Sequence, residues 1–161
     1  MHPMTGPTDR YLDLLKRCLT RELFLDQEVR DVDLSEWPGD RDELLATMRR
    51  RGWRMVERAA DPAVRAAGQD WPPTAETMVG RARLDNAADC ARQVLDDGVP
   101  GDLVETGVWR GGVGILWRAI LEAYGVQDRA VWLADSFQGI PAPDADRYPA
   151  DEGIDFSGIP A

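Results

Sequence analysis

One stretch limits what this chain can fold into more than any other. "LVETGVWRGG" begins at Leu103, and an amphipathic run then leads to "VWLADSF". An apolar strand from Leu103 to Gly107 enters a glycine-rich turn, and a helix follows from Gly111 to Tyr124. That helix carries Ile115, Leu116, Ala119, Ile120 and Ala123 on its inner side. Gly125 stops it, and "RAVWLADSF" reads as a second, buried strand. Strand, helix and strand in this order predict two parallel neighbours joined by a right-handed crossover, which places the chain in the α/β class. In open sheets of this kind ligands bind at the carboxyl ends of the strands. The turn after Gly107 and the acid Asp135 are therefore expected to face one crevice.

The residues of the turn narrow the ligand. Gly107 permits a tight turn, while Gly111 and Gly112 permit close approach to the start of the helix. Asp135, at a strand end, stands where an acid grips ribose hydroxyls in nucleoside-binding folds. A dinucleotide fingerprint is missing its second glycine, because Trp109 occupies that place. A phosphate-cradling loop is excluded as well, since Val113 and Gly114 follow where lysine and a hydroxyl residue are needed. Glu105 would repel a pyrophosphate and attract an ammonium group. S-adenosylmethionine carries that ammonium and a ribose without a phosphate, so charge ranks it above NAD, the cofactor of the oxidoreductase alternative.

The rest of the chain supplies helices and limits. Tyr11, Leu14, Leu15, Cys18 and Leu19 predict one amphipathic helix from Arg10 to about Leu25, with Thr8 or Asp9 as its cap. The segment from Asp26 to Pro73 is charged and broken by glycine and proline; Arg41 to Ala60 is its best helix, with Leu44, Leu45, Met48 and Val56 inward. A further helix carries Leu84, Ala87, Ala88, Ala91, Val94 and Leu95 on one stripe and stops at Gly98. Of 161 residues, 29 are acidic and 19 basic, and the net charge of -10 opposes a nucleic-acid partner. No apolar run approaches the roughly 18 residues of a membrane span. The N-terminus, with the lone His2, resembles no signal peptide, so a cytoplasmic location with no membrane partner is expected. Cys18 and Cys90 are expected to be reduced and partly buried.

From Pro73 to Pro141 the sequence resembles the macrocin O-methyltransferase family, through "DGVPGD", "ETGVWRGG" and "ADSFQG" in that order. "YLDLLKRCLTREL" is similar to the family's leading helix, whereas residues 26–70 match it poorly. The resemblance implies an S-adenosylmethionine-dependent, Mg2+-assisted enzyme that methylates a sugar hydroxyl of a macrolide or aminocoumarin antibiotic. It implies the N-terminal part of a class I, Rossmann-like methyltransferase fold: a helical or irregular segment over residues 1–72, then the first part of the sheet over residues 73–161. Glu105 and Gly107 would meet the methionine end of the donor, within a backbone cradle that includes Thr106, Val108, Gly111 and Gly112. Asp135 would hold the ribose, Ser136 and Phe137 would lie along the adenosine, and Thr77 and Met78 would help close the site.

The same resemblance places the general base and the magnesium ligands on later strand ends, beyond Ala161, so no catalytic residue is assigned. Two readings of different class stay open. The chain is either the N-terminal portion of a sugar O-methyltransferase or a non-catalytic donor-binding module. The expected partners are a glycosylated small-molecule acceptor and either a second copy or a chain that supplies the rest of the sheet. Asp144, Asp146, Asp151, Glu152 and Asp155 do not follow a metal-loop spacing and read as a loop; the resemblance implies that this region leads into a lid over the acceptor. Four structural alternatives stand beside these roles. Glu105 could pair with Arg110 or Arg129, Asp135 could cap the next turn, Arg110 could meet the donor carboxylate or a surface acid, and Trp109, Trp117 and Trp132 could be packing residues.

Overall fold

The computed structural model describes residues 6–58 and 61–154, so His2 and Asp155 lie outside the described residues. In chain order the elements are α1 (Pro7–Leu19), a 3-10 turn (Glu22–Gln27), β1 (Val29–Asp31), α2 (Arg41–Arg51), β2 (Val56–Arg58) and α3 (Pro62–Ala67). There follow α4 (Gly80–Asp96), β3 (Leu103–Thr106), α5 (Gly112–Ala123), β4 (Val131–Ala134) and a 3-10 turn (Pro149–Asp151). β3 and β4 pair in parallel, Leu103 opposite Val131 through Thr106 opposite Ala134, with α5 as the crossover. This is the predicted unit. β1 and β2 form a separate antiparallel pair around α2, from Val29 opposite Arg58 to Asp31 opposite Val56.

Three helices share one core. Leu12 and Leu19 of α1, Leu84, Ala88 and Ala91 of α4, and Leu116 and Ile120 of α5 form a single buried cluster. Full burial of a Leu or Ile side chain contributes about 1.5–3 kcal/mol relative to exposure, so this helical layer holds the parallel pair in place. α1 differs from its expected form. Pro7 starts it earlier, Gly6 is the cap, and the Asp9 carboxylate accepts from the Gly6 N–H at 3.2 Å. The helix ends at Leu19 because Arg21 takes a left-handed backbone, φ +60°. Its buried stripe is Leu12, Lys16 and Leu19, while Tyr11, Leu14 and Cys18 are exposed. The stripe admits Lys16 because its ammonium reaches Asp85 of α4 at 2.5 Å. Arg81 adds ion pairs to Asp13 and, at 3.5 Å, to Glu22.

Other expectations also shift. The helix expected over Arg41 to Ala60 stops at Arg51, where Gly52 adopts φ +65°, and Val56 lies instead on an exposed strand. Both cysteines are exposed free thiols, not partly buried ones. α5 buries Leu116, Ile120 and Leu121, whereas Ile115 is exposed. β4 is not a buried strand in the described structure: α5 covers only one face of a two-stranded sheet, and Trp132 on the other face is 60% exposed.

A buried charged cluster joins the N-terminal segment to this core. The Arg65 guanidinium, 1% exposed, bonds Asp70 at 2.7 Å, Glu28 at 3.3 Å and the Thr20 carbonyl at 2.9 Å. Thr74 Oγ1 donates to the other oxygen of the fully buried Glu28. Next to it two backbones touch. A Cβ built on Gly80 would sit 2.4 Å from the Gly68 nitrogen, and both glycines have positive φ, so α3 and α4 meet in this way only through glycine.

Candidate functional site

The crevice at the carboxyl ends of β3 and β4 is built from backbone first. The Gly107 N–H donates to the Ala134 carbonyl at 3.2 Å and extends the ladder past β3. Gly107 then turns with φ +75°, and nothing lies within 4 Å of where its Cβ would be, so the strand end is open. Gly111 caps α5 with φ +82°. Trp109 between them also takes a left-handed backbone, φ +53°, which costs a non-glycine residue about 1–2 kcal/mol. Its contacts offset that cost. The Arg110 guanidinium lies 4.3 Å above the indole, and Trp71 meets it edge-on with ring centroids 6.4 Å apart.

Asp135 joins the two strand ends. Its Oδ2 accepts from the Val108 N–H at 2.7 Å and its Oδ1 from the Phe137 N–H at 2.9 Å. The N–H groups of Phe137 and Val108 hold its carboxyl below the usual aspartate range, so it stays ionised into mild acid. The turn-capping alternative is therefore present in the structure, together with a second bond to the glycine turn. Asp135 is exposed, and each carboxylate oxygen has two lone pairs, so these bonds leave acceptor capacity toward the crevice. Ser136 Oγ accepts from the Gln138 N–H at 3.2 Å, and this second small turn leaves Phe137 64% exposed beside the strand end, with φ +52°.

Glu105 and Thr106 end β3. Glu105 forms no ion pair with Arg110 or Arg129; its Oε2 accepts from the Gly114 N–H at 2.9 Å, while Oε1 has no hydrogen-bond partner among the described residues. Burial pushes its carboxyl above the ordinary glutamate range, opposed in part by the Gly114 bond.

Gly112 has a different job from the one expected of it. A Cβ there would lie 2.5 Å from the Glu76 carbonyl oxygen and 2.6 Å from Thr77 Cβ, so the close neighbour is the chain itself. The Gly112 N–H donates to the Glu76 carbonyl at 3.0 Å. Thr77 is thereby buried against the start of α5, and the half-buried Met78 follows it. The structure thus brings Thr77 to the end of the glycine turn, with Met78 next in the chain.

Arg110 was expected at a ligand carboxylate or a surface acid; among the described residues it pairs with no acid. Its Nη1 donates to the carbonyls of Pro72, Pro73 and Ala75 at 3.3, 3.0 and 3.0 Å. The only sign of this in the sequence is the proline pair, which has no N–H groups to donate and so interrupts regular pairing, leaving its carbonyls to other donors. Trp117 and Trp132 are structural: Trp117 donates to the Ala87 carbonyl at 3.3 Å, and Trp132 to Asp102 at 2.7 Å. In the tail, Asp144 and Asp151 accept from backbone N–H groups of their own turn. The described residues contain no cluster of three or more His, Cys, Asp or Glu placed to hold a metal.

A parallel βαβ unit with a glycine turn and an acid at the second strand end defines the first part of a class I, Rossmann-like methyltransferase fold. The chain belongs to the macrocin-O-methyltransferase (TylF) family, which it matches over residues 8–158. It is 46% identical over 143 residues to an 8-demethyl-8-(2,3-dimethoxy-alpha-L-rhamnosyl)-tetracenomycin-C 4'-O-methyltransferase of Streptomyces olivaceus, covering 89% of this chain and 46% of that protein. It is 42% identical over 151 residues to the mycinamicin III 3''-O-methyltransferase of Micromonospora griseorubida, covering 94% and 51%. Over 88 residues it is 58% identical to the demethyldecarbamoylnovobiocin O-methyltransferase of Streptomyces niveus, covering 55% and 34%. The solved structure of the O-methyltransferase NovP matches with a TM-score of 0.61 and 41% identity, over 86% of this chain and 46% of that one. The chain spans about half the length of the relatives it matches most fully.

Proposed function

We propose that this chain forms the donor-binding part of an S-adenosylmethionine-dependent O-methyltransferase acting on a sugar hydroxyl of a glycosylated secondary metabolite, of the macrolide or aminocoumarin kind. The observation that carries the reading is the bond between Asp135 Oδ2 and the Val108 N–H at 2.7 Å, which puts an ionised strand-end acid against an open glycine turn in a chain of this family. The residues suit the donor. The crevice offers carboxylates and no cationic phosphate cradle, which matches a ligand with an ammonium and a ribose but no phosphate.

In this reading Asp135 accepts from the ribose hydroxyls. Glu105, through its Oε1, which has no partner among the described residues, and the open backbone of Thr106, Gly107 and Val108 receive the ammonium end. Gly111 lets the turn close into α5. Phe137 provides an apolar face along the adenosine, with Ser136 beside it, and Thr77 and Met78 close the site from the other side. When bound, S-adenosylmethionine supplies an electrophilic methyl group. The chain's own residues contribute by holding the donor at a fixed angle, the positional part of the rate enhancement. Magnesium belongs to the acceptor side by family resemblance; the described residues offer no carboxylate cluster for it. The partners proposed are the glycosylated acceptor and either a second copy or a chain that covers the open β4 edge. A cytoplasmic location is part of the same proposal; no helix among the described residues is long and apolar enough to cross a membrane.

Calorimetric titration with S-adenosylhomocysteine tests the donor reading. The chain is expected to bind it and to give a flat trace with NADH. Asp135→Ala is expected to weaken binding by at least about tenfold, the scale of a lost charge-assisted hydrogen bond. Equal affinity in wild type and variant would remove Asp135 from the site, and an NADH signal without one for S-adenosylhomocysteine would favour the oxidoreductase.

A further inference from the structure

Residues 71–78 form a strap across the first turn of α5, and on the side of the crevice its attachments lead to residues 109–112. Arg110 Nη1 gathers the carbonyls of Pro72, Pro73 and Ala75 within 3.3 Å. Trp109 lies under the same guanidinium and meets Trp71 edge-on. Gly112 donates to the Glu76 carbonyl and leaves no room for a side chain between itself and Thr77. On its far side the strap is anchored by the Glu76 N–H to the Leu19 carbonyl at 2.9 Å. None of the strap's bonds to the glycine turn belongs to a helix or sheet ladder. One charged side chain supplies three of them.

We propose that Arg110 is a positioning residue for the donor site: it does not touch the donor, but latches the strap to the glycine turn and so fixes Thr77 and Met78 against the crevice. This rests on the donor-binding reading above. Lysine cannot fully replace the arginine, because a compact ammonium lacks the planar surface that stacks on Trp109. A methyl group at Gly112 lifts the same strap without altering Arg110.

The test pairs hydrogen exchange over residues 71–79 with S-adenosylhomocysteine affinity, measured on the full chain. Arg110→Ala is expected to speed exchange in the strap and weaken binding about tenfold, while protection of Leu84–Ala91 and Leu116–Ile120 stays as in wild type. Arg110→Lys is expected to restore part of both effects. Gly112→Ala is expected to reproduce both with Arg110 in place. Faster strap exchange with unchanged affinity in Arg110→Ala and Gly112→Ala would overturn the proposal, and so would strap exchange that does not change. Failure of the unsubstituted chain to bind S-adenosylhomocysteine would instead overturn the donor reading, and the latch with it. That result is seen before any substitution is made.

Discussion

Glu105 and Asp135 carry the same charge at neighbouring strand ends, and their surroundings push them in opposite directions. The N–H groups of Phe137 and Val108 lower the Asp135 pKa, while burial raises that of Glu105. Acid therefore discharges Glu105 first. S-adenosylhomocysteine affinity is expected to fall as pH drops through the raised Glu105 value, and titrations across that range would show it. Glu105→Gln should weaken binding at neutral pH and flatten this dependence; an unchanged profile would exclude Glu105 as the group that senses the ammonium. The sign for stability is the reverse. A carboxyl with a raised folded pKa binds its proton better when folded, so its contribution is favourable in acid and is lost as pH rises through that pKa. Glu105→Gln keeps the acceptor for the Gly114 N–H and removes the desolvated charge. Thermal melts at neutral pH should accordingly show a Tm equal to or above wild type. Both acids were legible in the sequence as strand ends. The Gly114 bond was not, because it depends on how α5 sits over β3.

Among the elements, the parallel unit was predicted closely because its period, its glycines and its order agree. The segment from Asp26 to Pro73 was not, because its structure rests on long-range polar contacts. The Arg65 guanidinium, held by Glu28, Asp70 and the Thr20 carbonyl, ties α3 to the end of α1 and the 3-10 turn. No hydrophobic period announces such a contact. Removal of Arg65 leaves the fully buried Glu28 carboxylate with only the Thr74 hydroxyl and a looser 3.6 Å contact to Arg21. Arg65→Ala is therefore expected to destabilise the fold by about 3–5 kcal/mol in urea unfolding, whereas Arg30→Ala, at an exposed pair with Glu57, should cost under about 1 kcal/mol. Similar costs for the two would mean that the cluster is no more than a surface network.

At the scale of the whole molecule, α1, α4 and α5 share one core, and the two-stranded parallel sheet lies against it with one face open. Val104 and Trp132, opposite each other on that face, are more than half exposed, and Tyr11, Ile115 and Leu133 line an apolar groove between α1, α5 and β4. Paired apolar side chains beside an unpaired strand edge favour association. Sedimentation is expected to show concentration-dependent self-association, reduced in Trp132→Lys; a monomer at all concentrations would count against a second copy covering this face. The sequence by itself determined the βαβ order, the parallel pairing, the positions of the glycine turn and of Asp135, and the resemblance to the macrocin O-methyltransferases. These depend on local period and short-range stereochemistry. Only the tertiary structure decided which side of α1 is buried, that Gly112 makes room for the strap, and that Arg110 binds three carbonyls. Each of those depends on groups far apart in the chain that meet only once the helices have packed.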